Sequence, residues 1–221
     1  MIARIFFLSG LLLLGAPGFA SESTPQPAAA RSEVWLAVTS WPALGDLQPV
    51  TSGGFDAAGF GLGGAVHWPV RQSGNGELLI GLDGFIAATG SNISGVIDDV
   101  LARHLYLGGS VKWAFGDARN VQLDAGLGFH LADMAEVSTE YIGIEHEAWE
   151  ASRVGAFIGV TWDVGAGRAG KTSGMSLSLK AHFVDFGTIH DEDVLFQPLF
   201  GTNAGQLDGP IYLLQIGWAG R

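Results

Sequence analysis

The stretch LYLGGSVKWAFGDARNVQLDAGLGFHL, Leu105 to Leu131, decides the fold. Apolar residues alternate with small or polar ones on both sides of GDARN, so the segment reads as two strands around a tight turn. One face carries Leu105, Leu107, Val111, Trp113 and Phe115. The other carries Tyr106, Ser110, Lys112, Gln122, Asp124 and His130 among glycines. If Phe115 pairs with Val121, Lys112 falls opposite Asp124 on that sparse face. A lone buried charge is costly and a paired, hydrogen-bonded one is tolerable. The spacing therefore predicts a Lys112–Asp124 ion pair inside a closed sheet.

The same alternation recurs along the chain. Eight segments carry it, at about 32–41, 55–68, 77–90, 102–115, 120–133, 150–163, 174–187 and 210–218. Their connections alternate in length. PVRQSGNG, GDARN and VGAGRAGKTSG are short, whereas about 42–54, 91–101, 134–149 and 188–209 are long. An even strand number with short and long connections in turn predicts an all-β, antiparallel, up-and-down transmembrane β-barrel of eight strands. On segments two, four, six and eight the apolar face ends in Trp68, Trp113, Trp162 and Trp218. In such a barrel these strands run the same way, so the four indoles share one rim. A tryptophan sits well where hydrocarbon meets water, and the four are read as an interface girdle.

Periodicity does not say which face points outward, because a soluble ligand-binding barrel alternates too. The polar face decides: it is glycine-rich, sparse and balanced in sign, which suits a narrow lumen. Lys180, Arg153, Asp83, Asp163 and Glu33 are expected to extend the Lys112–Asp124 pair into a network. His67, His104, His130 and His182 are candidates for the same interior. In the first segment two assignments stay open: either Val34, Leu36 and Val38 face outward, or Trp35, Ala37 and Trp41 do.

Composition narrows the class further. The 221 residues contain 34 glycines and no cysteine, so disulfides and thiolate metal sites are excluded. A net charge of −11 argues against nucleic acid as a partner. Arg4, the apolar run IFFLSGLLLL and the small residues Gly18 and Ala20 read as a cleaved export signal over 1–20. Residues 21–30, SESTPQPAAA, read as a flexible linker, and 31–221 as the barrel.

The chain resembles the small eight-stranded outer-membrane barrels of Gram-negative bacteria, of the OmpA/OmpX type. The final segment GPIYLLQIGW is similar to that family's C-terminal assembly signal, although Ala219, Gly220 and Arg221 follow its last aromatic. The resemblance implies a monomer in the outer membrane, with lipids, lipopolysaccharide and the barrel-assembly machinery as partners. It also implies turns and termini in the periplasm and long loops outside.

Three chemical readings compete with a purely structural role. The long connections are acidic, with Asp98, Asp99, Glu136, Glu140, Glu145, Glu147, Glu150, Asp191, Glu192, Asp193 and Asp208. Clustered carboxylates suit divalent cations, yet no fixed ligand spacing is visible. In IEHEAWE, the extended chain points Glu145 and Glu147 away from His146, which argues against a metal site. His182 and Asp185 lie in KAHFVDFGTIHDED, and lipid A acyl hydrolases resemble this in placing a histidine late in the barrel. Those enzymes place a serine two residues after it, where this chain has Val184. A base without a nucleophile is no catalytic constellation. The expectation is a non-enzymatic membrane barrel with a closed polar lumen, needing no cofactor or resident metal.

Overall fold

The computed structural model describes residues 30–43, 58–73, 76–91, 98–115, 119–138, 143–164, 173–187 and 206–220. The expected export signal over 1–20, and the linker up to residue 29, lie outside them. The strands are β1 (Arg31–Ser40), β2 (Ala58–Ser73), β3 (Gly76–Ser91), β4 (Asp98–Phe115), β5 (Val121–Ser138), β6 (Gly143–Val164), β7 (Ser173–Phe183) and β8 (Pro210–Gly220). Each pairs antiparallel with its neighbour, and β1 pairs with β8, so the eight strands close into a barrel. Phe115 pairs with Val121 and Lys112 stands directly opposite Asp124. One mouth carries the short β2–β3, β4–β5 and β6–β7 connections and is called the turn end here. The opposite mouth is the loop end.

The outer wall is apolar along the middle of the strands, with Leu62, Leu107, Leu127, Phe129, Val154, Ile158, Leu179, Leu214 and Ile216 all exposed, and the Arg103–Asp133 pair lies on it toward the loop end. The inner wall holds the charges, among them Glu33, Asp83, Lys112, Asp124, Asp163 and Lys180. This is the reverse of a soluble protein, in which exposed charge surrounds an apolar core. The first strand settles on one of its two assignments. Leu36 is 70% exposed while Trp35 is 6% exposed, so Val34, Leu36 and Val38 face out and Trp35, Ala37 and Trp41 face in. Glycine makes that possible: a Cβ on Gly63 would come within 2.8 Å of the Trp35 indole.

The same device operates elsewhere on the inner face. A Cβ on Gly128 would meet the Tyr106 ring at 2.6 Å, and one on Gly159 would meet the Lys180 stem at 2.7 Å. The abundant inward glycines are the space into which a few long side chains fold, so the narrow lumen is packed rather than open.

Three boundaries differ from the sequence reading. β2 runs on to Ser73 through a register shift between Pro69 and Arg71. Proline has no N–H for the ladder, and a bulge absorbs it without ending the strand. The span 134–149, expected as a loop, is mostly ladder: β5 reaches Ser138 and β6 starts at Gly143, with two register shifts on the way. The polar run 134–149 carries no sustained apolar alternation, the signal on which the strand reading depends. β7 is shorter than expected and stops at Phe183, although the chain runs on beside β8 with Phe186 opposite Leu207.

Candidate functional site

The lumen has two storeys of different chemistry. The turn-end storey is ionic. Arg31, the first residue of β1, is held by Asp163 of β6 at 2.6 Å and by Glu33 at 2.9 Å. Lys112 of β4 reaches across the barrel to Glu33 at 2.6 Å. Its distance to Asp124 is 3.8 Å, too long for a hydrogen bond. Asp124 instead accepts from the Thr161 hydroxyl at 2.9 Å. Asp163 also accepts from Gln122 at 2.5 Å. Higher up, Lys180 of β7 bonds Asp83 of β3 at 2.5 Å. The ammonium also lies 4.7 Å from the centre of the Phe157 ring and 4.9 Å from that of Trp35, within cation–π range. His67 and Ser110 share a hydrogen bond of 2.8 Å below this belt.

The expected Lys112–Asp124 ion pair is present at 3.8 Å, and the pairings refine it in one respect and correct the network in another. Register places Lys112 beside Asp124, but the nearer partner is Glu33, whose strand is distant in sequence and near only through the closed lumen. Arg153 does not join the buried network. It stands opposite His130, is exposed, and donates to the Ser152 carbonyl at 2.9 Å. It lies close enough to the loop-end mouth for water to solvate its guanidinium. Arg31, central to the network, had been read only as the boundary between linker and barrel.

The loop-end storey is aromatic and imidazole-rich. His104 Nε2 and His130 Nδ1 are 2.8 Å apart, with the two rings stacked at 5.0 Å. His182 stacks on Phe157 at 4.8 Å and meets Tyr106 and Phe85 edge-on. β8 contributes Ile211 and Leu213, both fully buried on the inner face. The lumen is therefore ionic in one half and lined by aromatic, imidazole and β8 aliphatic side chains in the other, the apolar part from β8 being the one not expected. Alternation on β8 hid this, because both of its faces are apolar toward the loop end.

The β7–β8 pairing continues past Phe183 and extends the wall of this storey. Beyond β7 the Phe186 N–H donates to the Leu207 carbonyl, and the Leu207 N–H to the Gly187 carbonyl, each at 2.9 Å. Val184, Phe186 and Leu207 point inward and are buried, while Asp185 and Asp208 point outward. Phe186 rests on Trp41 at 5.4 Å and on His104 at 6.1 Å.

His182 is fully buried, and neither ring nitrogen has a hydrogen-bond partner. Asp185 is exposed, and its carboxylate accepts from the Gly187 N–H at 2.8 Å. The base–orienter pair considered from the sequence is not assembled, because strand alternation aims the two side chains to opposite sides. Among the described residues no cluster of three or more histidines and carboxylates has metal-binding geometry. The side chains of Glu145, His146 and Glu147, and residues 188–205 with Asp191, Glu192 and Asp193, lie outside the described set.

Trp68, Trp113, Trp162 and Trp218 are all exposed on the outer wall. Each lies toward the turn end of its strand, with Trp113 opposite Leu123 and Trp162 opposite Val121 and Leu177.

No protein-family model matches the sequence, and no curated protein matches it. The chain is structurally similar to small outer-membrane barrels. Ail, the attachment invasion locus protein of Yersinia pestis, is 8% identical with a TM-score of 0.47, over 86% of this chain and 96% of that one. Neisserial surface protein A is 11% identical with a TM-score of 0.44, over 86% and 94%. OprG from Pseudomonas aeruginosa is 11% identical with a TM-score of 0.39, over 86% and 94%. At these values the likeness carries no argument about role, and the barrel stands on its own strand pairing.

Proposed function

We propose that this chain is an integral outer-membrane protein whose barrel is a closed, non-enzymatic anchor. One observation carries the reading: the outer wall is a continuous belt of exposed Leu, Ile, Val and Phe while the charges lie inside. Such a surface costs about 25 cal/mol for each Å² left in water and is relieved in hydrocarbon. A soluble ligand-binding barrel would need the opposite arrangement. In this reading Trp68, Trp113, Trp162 and Trp218 lie at the periplasmic interface. The ion network of Lys112, Asp124, Asp163, Lys180 and Asp83, joined by Arg31 and Glu33, makes the lumen a rigid filling. Residues 1–20 direct export and are removed, and 21–30 link the signal to the barrel.

The partners are then outer-membrane lipids and lipopolysaccharide around the belt, with the barrel-assembly machinery during insertion. The acidic loops serve surface interaction or envelope integrity, and the protein is a monomer. Cell fractionation combined with gel mobility before and after boiling tests this. The expected result is recovery with the outer membrane and a mobility shift on boiling. A stable, detergent-free monomer in buffer would overturn the reading. In planar bilayers at neutral pH the expected result is no steady conductance, because both storeys of the lumen are filled.

A further inference from the structure

We propose that Arg103, Asp133, Ser152, Asp185 and Asp208 form a second membrane boundary on the outer wall. The wall then fits a bilayer with a hydrocarbon core of about 25–27 Å, thinner than the usual roughly 30 Å. This placement rests on the outer-membrane reading and adds where the hydrocarbon stops. Trp113 on β4, Trp162 on β6 and Trp218 on β8 mark the turn-end edge. Ten residues away on the same face of each run stand Arg103, Ser152 and Asp208. Ser152 and Asp208 are exposed, and Arg103 pairs with Asp133 of β5 with both side chains about a third exposed. Beside β8, Met175 lies opposite Trp218, and Asp185 follows it by the same ten residues. On β2 the tenth residue from Trp68 is Ala58, the first of the strand. Between the two edges the outward positions of β4 are Leu105, Leu107, Gly109 and Val111, and none on β5 to β8 is charged.

Strand register shows that the two edges are parallel planes. Trp113 pairs with Leu123 and Trp162 with Val121, a step of two residues along β5. The same step separates Trp68 from Trp113 along β3, and Trp162 from Trp218 along β7. Two residues over two strand spacings is about 6.6 Å over about 9.6 Å, the slope of strands tilted by about 35° in a closed barrel. The indoles therefore lie level around the turn end. The polar row has the same slope: Arg103 pairs with Asp133 and Ser152 with Leu131, again two residues along β5. Ten residues span about 33 Å of strand, or about 27 Å across a bilayer at that tilt. The two edges differ in kind. An indole tolerates a range of depths at an interface, whereas a charge drawn into hydrocarbon is costly. The loop-end charges thus fix how deep the barrel sinks, and the indoles follow.

Because the chain has no cysteine, single thiols carrying a nitroxide read depth cleanly in the full chain refolded into phospholipid vesicles. Collision with molecular oxygen reports hydrocarbon, and collision with a water-soluble nickel chelate reports water. Leu105→Cys, Leu107→Cys, Gly109→Cys and Val111→Cys are expected to favour oxygen, most strongly at Leu107 or Gly109, where an added side chain meets open space. Ser152→Cys and Asp208→Cys are expected to favour nickel. Arg103→Leu with Asp133→Leu, which removes both charges of the pair, is expected to move the oxygen maximum toward Leu105 by about two residues. If that variant fails to fold, Asp185→Leu with Asp208→Leu reads the same shift on the neighbouring wall. Oxygen preference that continues through Ser152 and Asp208, or that is already lost at Leu105, overturns the boundary. A maximum that stays in place without the charges overturns their role in setting depth. Shielding of Leu107 from both reagents would mean that another protein chain covers the wall, and overturns the proposal too. Nickel access at every position in a chain that stays in solution is a different outcome, which removes the outer-membrane reading itself.

Discussion

The two halves of the lumen solve one problem by different physics. Both fill the inside of an eight-stranded barrel, and both contain polar groups screened from solvent. At the turn end every buried charge has an opposite charge or a donor within reach, and the bonds cross the barrel from β1 to β4, β1 to β6 and β3 to β7. At the loop end the filling is aromatic, and both nitrogens of His182, the Tyr106 hydroxyl and the Trp41 N–H have no partner, whereas the unpartnered atoms Asp83 Oδ1, Gln122 Oε1 and Asp124 Oδ1 of the ionic half belong to groups bonded through their other atom. The ionic half is geometrically specified, because a charge-assisted hydrogen bond has one good length and direction. The aromatic half is held by shape and tolerates change in its polar atoms.

The largest effect that would break this comparison is at Lys112. Lys112→Met leaves Glu33 with Arg31 alone and Asp124 without its nearby cation, and breaking a buried ion pair costs about 3–5 kcal/mol. Urea unfolding in micelles reads it as a lowered midpoint at unchanged slope. A double-mutant cycle sharpens the point. Lys112 is expected to couple more strongly to Glu33, at 2.6 Å, than to Asp124, at 3.8 Å. Equal coupling, or none to Glu33, would mean that strand register rather than the cross-lumen contact governs the pair.

Next in size is Gly209→Ala. A Cβ at this position meets nothing within 4 Å, so the whole cost is the left-handed backbone, about 1–2 kcal/mol. The cost should appear as faster amide exchange of Phe186 and Leu207, with the midpoint of the ionic half little changed. Loss of both together would show that the storeys unfold as one unit.

The smallest effect is Tyr106→Phe. The hydroxyl is buried and unpartnered, so its removal leaves stability unchanged or raised by about 1 kcal/mol. A loss exceeding about 1 kcal/mol would reveal a partner for the hydroxyl and erase the contrast with the turn end.

How much of this was legible from the residues depended on distance along the chain. The turn-proximal part of the β4–β5 hairpin could be read, including Lys112 opposite Asp124, because a short turn and a period of two leave one register. The exposure of Trp68, Trp113, Trp162 and Trp218 followed from the same parity. Trp35 resisted reading, since Val34, Leu36 and Val38 on the other parity are equally apolar. Its inward choice required Gly63 on β2 and Gly217 on β8 to lie against it, which is a property of the closed sheet. Arg153 misled for a complementary reason. Its parity is inward, but parity gives the face and not the depth, and near the mouth an inward residue can still reach water.

Strand number, closure, the apolar outside and the sparse inside were therefore determined by the sequence alone, because alternation and turn spacing are local and repeat in every strand. The choice of Glu33 for Lys112, the entry of Arg31 into the network, the aromatic filling with Ile211 and Leu213, and the pairing of Phe186 with Leu207 were decided only by tertiary structure. Each joins residues far apart in the chain across a lumen whose width and stagger exist only once β1 has met β8. Electrostatic partners and ring contacts are selected there by distances of a few ångströms, which no sequence period encodes.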